Sequence, residues 1–310
     1  MVIEKFDSDL IKEAKKIILK THDGVFHADD VMSTALLEIF LERLFSKNKD
    51  EIVVIRSRAP IPEESEDSPF PVIIYDTGNG KFDHHFQGFS TKHDSGVLMS
   101  SLGLLWANLG FDICHHMIAD GLADSIAEAA AAKAYNKVEK DFVEPIDLTD
   151  NFGQKSNPNT VSWLISSANN SVPKGDAQEE AFINVVNMMK ELLSSAISRS
   201  ARNAVSEVEA SNIADASKDD YVVLEEGKFI SAALFDGTHV KYVIAAAPDK
   251  SGNWNLLAVN SNVVPIYFSQ EEMEGCVFCH VRRFCAAFST KGAAINAAQK
   301  NLDYHEKYVE

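Results

Sequence analysis

The sequence predicts an α/β protein, a mostly parallel sheet flanked by helices, with a second, smaller α+β domain behind it. Three observations carry that expectation. Short apolar, β-branched runs (Ile17-Ile18-Leu19, Ile52-Val53-Val54-Ile55 and Val72-Ile73-Ile74-Tyr75) surround a stretch with helical apolar spacing. Two of these runs end in turns rich in His and Asp, as expected where strand ends of an open sheet bind ligands. Beyond residue 220, strand-like runs are separated by turn sequences. The expected division is a catalytic domain over 1–172 and a connector helix with an α+β domain over 173–310.

In chain order, a strand at about 16–22 is followed by a helix at about 29–46, where Val31, Ala35, Leu36 and Ile39 recur at helical spacing. Strands at 52–55 and 72–75 complete a β-α-β-β order, separated by the acidic, Pro-bearing loop 60–69. Residues 98–141 read as helical, and the Ala-rich run 126–134 has high intrinsic helix propensity. A loop at 151–159 closes the catalytic core. One long helix over 176–216 connects onward, with Met188, Met189 and Ile197 as core contacts. Strands at 221–224, 242–245 and 256–259, a turn at 249–253 and a helix at about 290–304 make up the remainder.

Composition narrows the function classes. The chain has 310 residues, 45% of them hydrophobic, enough for a core without disulfides. Its 46 Asp and Glu against 29 Lys and Arg give a net charge of −17, which argues against a protein that coats nucleic acid. A small site that draws phosphate in through bound cations is compatible with it. Four cysteines without a disulfide pattern fit a reducing interior. No run reaches the ~18 apolar residues of a membrane span, and the N-terminus reads as neither signal nor transit peptide. The expected location is the cytoplasm, with a nuclear pool left open, and no oligomeric state is assigned.

The chemistry concentrates in few residues. The turn after the first strand carries His22, His27, Asp29 and Asp30, although Asp29 also suits a plain helix cap. The third strand ends in Asp76-Thr77-Gly78, and Asp83-His84-His85 follows. Two further acids, Asp147 and Asp150, close the helical region. Imidazole with carboxylate suits Mn²⁺, Zn²⁺, Fe²⁺ or Co²⁺ better than Ca²⁺. Elsewhere the same residue types point to packing. His115 and His116 are helical neighbours about 100° apart. Cys276-Val277-Phe278-Cys279-His280 has haem-attachment spacing but lies in an apolar strand-like run, where alternation also makes a zinc site with Cys285 awkward.

Thr21-His22-x-Gly24-x-Phe26-His27-x-Asp29, the strand-end Asp76 and Asp83-His84-His85 resemble the Asp-His-His (DHH) phosphoesterase superfamily. Within it the chain is similar to the Myg family (melanocyte proliferating gene). Its members are also called metal-dependent protein hydrolases and are associated with 3′–5′ RNA exonuclease activity. Ser100-Ser101-x-Gly103-Leu104-x-Trp106, Phe142-Val143-Glu144-x-x-Asp147-x-x-Asp150-Asn151 and Gly275-Cys276-Val277-Phe278-x-His280 extend the similarity to about residue 300.

The resemblance implies two divalent cations, Mn²⁺ first, with Mg²⁺, Co²⁺ or Zn²⁺ as alternatives. In such chemistry a cation pair about 4 Å apart clamps the phosphoryl group and activates water. It implies His22, His27 and Asp76 for one cation, and Asp29, Asp76, His84 and one of Asp147 or Asp150 for the other. His85 would act on the substrate and Asp83 would orient the His pair. The implied partner is a phosphoester, RNA or an oligonucleotide. Pyrophosphate or dinucleotide hydrolysis and a non-enzymatic metal-bound scaffold are the alternatives. Three departures stand out: Asp30 where the family has Glu, a short Asp76–Asp83 segment, and Ala286-Ala287-Phe288 where it has a Gly-Gly-His type turn. Arg282, Arg283 and Lys291 are left as the basic residues for substrate binding near that turn.

Overall fold

The computed structural model describes residues 2–118, 121–152, 160–224, 227–228, 230–249 and 251–309. Residues 153–159 of the expected loop and Lys250 of the expected turn lie outside them. The chain divides into two compact units, Met1–Ala204 and Val205–Glu310. The division falls inside the long helix, whereas the sequence-based boundary at 172/173 assigns that whole helix to the second domain.

The first unit is built on β1 (Ile17–Thr21), β2 (Ile52–Arg56) and β3 (Val72–Ile74), in the order β2-β1-β3 and all parallel. The central β1 is buried at all five positions, as a strand covered on both faces must be. Lys20 stands within it and is neutralised by Glu64. Helix α1 (Ser8–Glu13) is capped by the Asp7 carboxylate and is too short to show periodicity in the sequence. Helix α2 (Ala28–Phe45) is apolar nearly all round, from Val31 through Leu41, and is correspondingly buried on most sides.

Helices α3 (Ser101–His116) and α4 (Asp124–Val138) occupy the region read as helical. His115 and His116 lie in the last turn of α3 and join no cluster of ligand-type groups among the described residues. Continuous with α4 is a π-turn, Glu139–Val143, that leads into α5 (Glu144–Phe152). Pro145 has no N–H to give Asp141, and its ring would crowd that carbonyl. The widened turn, with Glu144 N–H donated to the Glu139 carbonyl, accommodates it. Helix α6 (Val161–Asn170) begins at the Thr160 cap and is followed by α7 (Asp176–Ala216). Phe182, Val186, Met189, Leu193, Ile197 and Ala201 form the buried stripe of α7. Met188, expected in the core, is 51% exposed, because its neighbour Met189 takes the inward position.

The second unit carries β4 (Tyr221–Val223), β5 (Tyr242–Ala246), β6 (Trp254–Ala258), β7 (Cys276–Cys279) and β8 (Cys285–Phe288), in the order β4-β5-β6-β8-β7. Only β4 and β5 run parallel. One face packs Tyr242, Ile244, Leu256 and Phe288 with Ala294, Ala297 and Ala298 of α8 (Lys291–Tyr308). On the other face, Val222 and Val243 meet Ala210, Ala214 and Phe235. Ala286-Ala287-Phe288 forms strand β8, with Phe288 fully buried. The region read against a glycine-bearing turn is therefore a strand, with Ala286 and Phe288 on its buried face.

Candidate metal centre

The C-terminal ends of β1 and β3 and the N-terminus of α2 bring the sequence-predicted groups together. His22 follows β1 directly and is 2% exposed. The turn it starts is pinned from behind by Asn169 Oδ1, which accepts from Phe26 N at 3.3 Å, and by packing of Phe26 on Phe182. At the helix entry, Asp30 Oδ1 accepts from His27 N and Val31 N, both at 2.8 Å. That capping box closes the turn and fixes Asp29 and Asp30 at the start of α2.

Asp76 leaves β3 with φ 56°, a left-handed conformation that Asp tolerates better than most residues. Its N–H donates to the Phe82 carbonyl at 3.0 Å, folding 77–83 back on the strand end. The short segment thereby delivers Asp83-His84-His85 beside Asp76. Asp83 is spent on support: Oδ2 accepts from Asn79 N at 2.7 Å, and Oδ1 faces His85 N at 3.1 Å and His85 Nδ1 at 2.9 Å.

Around Asp76 the distances are short. Its Oδ2 lies 3.1 Å from His22 Nε2, and its Oδ1 lies 3.2 Å from His84 Nε2 and 3.4 Å from His85 Nδ1. His22 Nε2 is also 3.4 Å from Asp30 Oδ2. His84 Nε2 faces Asp29 Oδ2 at 3.5 Å and Asp150 Oδ2 at 3.4 Å. Three ligand-type groups result: His22, Asp30 and Asp76; Asp76, His84 and His85; His27, Asp29 and Asp150. His27, expected beside His22 and Asp76, thus groups with Asp29 and Asp150, and Asp30 stands in its place.

Asp147 stands apart from all three. Its Oδ2 is 2.7 Å from His93 Nε2, and its Oδ1 accepts from Ser100 Oγ at 2.6 Å. His93 Nδ1 in turn faces Glu139 at 2.9 Å. Arg282, Arg283 and Lys291 belong to the second unit. Arg283 donates to the Phe268 carbonyl, Lys291 Nζ sits 5.2 Å over the Trp254 ring, and Arg282 sits in the turn between β7 and β8.

Electrostatics follow from this crowding. Burial alone would pull His84 down, yet hydrogen bonds and charges from Asp29 and Asp76 outweigh it and push it up to about 11. For His22 the same opposition, with Asp76 and Asp30 winning, gives about 9. Asp150 is pushed up to about 9 by burial and then by the Asp29 charge. Burial likewise raises Asp30 well above the carboxylate range. Asp76 is held below that range, because its histidine partners override burial.

A divalent cation fits these residues. Asp29 Oδ1 is buried with no hydrogen-bond partner among the described residues, and the buried Asp30 Oδ2 and Asp76 Oδ2 share a single nitrogen, His22 Nε2, at 3.4 and 3.1 Å. Unpaired buried carboxylate oxygens are costly unless they pair or coordinate metal. Mixed imidazole and carboxylate donors suit ions such as Mn²⁺, Zn²⁺, Fe²⁺ or Co²⁺.

Some supporting residues were not apparent in the sequence. His93 lies 46 positions from Glu139 and 54 from Asp147 in one buried network, and a lone loop His gives no signal. Ser100-Ser101 was visible as a motif. Ser101 Oγ donates to Asp29 Oδ2 at 3.2 Å, alongside the Ser100 bond to Asp147. Gly103 of the same motif has a reason as well: a Cβ there would lie 2.0 Å from Asp147 Oδ2. Trp106 stacks on Tyr135 at 5.4 Å.

Comparison with known proteins agrees with the motifs. A MYG1 protein of Dictyostelium discoideum is 25% identical over 336 aligned positions, covering 93% of this chain and 97% of that protein. The MYG1 protein YER156C of Saccharomyces cerevisiae is 33% identical over 135 positions, and MYG1 exonuclease of Homo sapiens 29% over 141. Those two matches cover 42% of this chain but only 36% and 34% of the relatives, about a third of their length. Among solved structures, RecJ of Thermus thermophilus in complex with Mg²⁺ aligns with 97% of this chain and 52% of its own, at TM-score 0.27 and 14% identity. The family model MYG1_exonuc, described as an uncharacterised protein family (UPF0160), matches residues 18–265, well over half of the chain. The chain belongs to the MYG1 family.

Proposed function

We propose that the protein is a metal-dependent phosphoesterase that hydrolyses phosphodiester bonds, acting as a 3′–5′ exonuclease on RNA or short oligonucleotides. The observation that carries this is the convergence of His22, Asp29, Asp76, His84 and Asp150, in which more buried carboxylate oxygens gather than the two imidazole nitrogens facing them can satisfy. The exonuclease name of several MYG1 relatives supports the substrate class.

Two Mn²⁺-type ions, when bound, would supply a metal-activated water and neutralise charge on the phosphoryl oxygens. Asp76, facing His22 on one side and His84 on the other, would be the carboxylate that helps hold both. His22 and Asp30 flank one side; Asp29, His84, Asp150 and His27 flank the other. Asp150 is preferred over Asp147, whose two oxygens are already taken. Asp83 holds the Nδ1 side of His85, so Nε2 of this half-exposed ring is the nitrogen offered to substrate. As water adds to phosphorus and the ester P–O bond breaks, the imidazolium form of His85, its Nδ1–H held by Asp83, would pass its Nε2 proton to the leaving oxygen, and the proton lost by the attacking water would go to solvent. Arg282, Arg283 and Lys291 are proposed to bind substrate phosphate in the second unit.

Hydrolysis of small phosphorylated molecules, pyrophosphate or dinucleotides, is the second reading, favoured by the net charge of −17. Mn²⁺-dependent turnover of a short RNA, a cyclic dinucleotide and pyrophosphate, measured side by side, separates the two. Fastest release of mononucleotides from the 3′ end of the RNA is expected. Turnover confined to pyrophosphate would overturn the exonuclease reading.

A further inference from the structure

We propose that Arg58 is the residue that seats the substrate phosphate at the metal centre. The inference rests on the phosphoesterase reading and adds a side-chain cation beside the metal centre itself, in the first unit, where that reading names none. In the parallel register Thr21 pairs with Arg56, so the chain leaving β2 emerges beside the His22-Asp23 turn. Arg58 lies there with its side chain 65% exposed. Its Nε is 3.3 Å from Asp23 Oδ1, and its Nη2 is 3.3 Å from His22 Nδ1 and 3.4 Å from the Asp23 carbonyl. Arg56, two residues earlier, is committed instead: it is buried, donates to Glu179 and to the Gly24 carbonyl, and packs on Phe182.

Charge balance shows why such a residue is needed. Asp29, Asp30, Asp76 and Asp150 bring four carboxylates to the centre, which two divalent cations only neutralise. A phosphodiester anion thus meets a site without net attraction and needs a separate cation. The current partners of Arg58 are easily given up. Its pair with Asp23 is exposed on both sides, and such pairs contribute little. His22 Nδ1 is 3.0 Å from the Asp23 carbonyl. The tautomer that leaves Nε2 free puts the proton on Nδ1, so the guanidinium then faces another donor there. A phosphate supplies the acceptor pair that the planar fork matches in a bidentate manner.

The test is calorimetric titration of Mn²⁺-loaded protein with adenosine 5′-monophosphate, with bound metal measured on the same samples. Arg58→Ala should weaken binding about 10- to 100-fold, and Arg58→Lys should recover part of it by restoring charge without the fork. Bound Mn²⁺ should be unchanged in both variants. Unchanged affinity in Arg58→Ala, no binding by the wild type, or a metal loss that accounts for the weakened binding would each overturn the inference. Hydrolysis is scored separately. A wild type that binds the nucleotide through Arg58 but cleaves no phosphodiester refutes the phosphoesterase reading alone.

Discussion

Asp76 leaves its strand at φ 56° and presents one oxygen to His22 and the other to His84. The two histidines of the adjacent pair divide differently. His84 is nearly buried and its Nε2 faces three carboxylates, while His85 is 55% exposed and is held by Asp83. His84→Ala should therefore lose bound metal. His85→Ala should keep it and lose about 100-fold or more in rate. Equal metal loss, read by elemental analysis of the two purified variants, would show the roles misassigned. His93 offers a prediction about pH. Burial would lower it, but Asp147 and Glu139 raise it from 6.5 to about 9. A folded-state value above the unfolded one stabilises the fold fully below about 6.5 and progressively less as pH rises through 9. His93→Gln should flatten the decline of chemical-denaturation stability over that window. An identical pH profile in the variant would count against the buried ion network.

At the scale of elements, the π-turn, α5 and the start of α3 act as one support. Asp150 and Asn151 stand three and four positions beyond Asp147, so all three share a helix face. Asn151 bonds the Leu98 carbonyl at 2.9 Å and faces His84 Nδ1 at 3.3 Å. Gly103→Ala would drive a methyl into Asp147 Oδ2 and within 3.0 Å of Met99. It should cost about 1–3 kcal/mol in denaturant unfolding and weaken metal retention by displacing Asp150. Full stability with full metal would contradict this coupling. Much of this level was legible in the chain. Val72-Ile73-Ile74 followed by Asp76, and Ile17-Ile18-Leu19 followed by His22, announce buried strands with polar ends, because burial and ligand placement both leave local marks. That Asp147 is engaged elsewhere was beyond the sequence, since it depends on His93, a residue 54 positions away brought near only by tertiary packing. Strand β8 escaped for a different reason. Cys285-Ala286-Ala287-Phe288 is too short and too small for a period-2 signal, and only Phe288 reveals its inward face.

For the molecule as a whole, a net charge of −17 and a compact cluster of acids and histidines favour substrates that meet few protein cations. Among the described residues no helix is long and apolar enough to cross a membrane. Each phosphate neutralised on a single strand steepens the log–log salt dependence by about 0.7, so a shallow slope is expected. Replacing Arg282 and Arg283 together by Ala should raise KM with little change in kcat, as loss of uniform binding does. A steep slope with a clear preference for long RNA would contradict that. The central claim, that Asp76 joins a two-cation centre for phosphodiester hydrolysis, has its most direct test in Asp76→Asn. The measurement is bound Mn²⁺ per chain alongside Mn²⁺-dependent cleavage of a short RNA, with cooperative unfolding as the control for the fold. The account predicts up to two ions in the wild type, fewer in the variant, and turnover abolished while unfolding stays cooperative. A variant with the full complement of metal and the wild-type rate would contradict it.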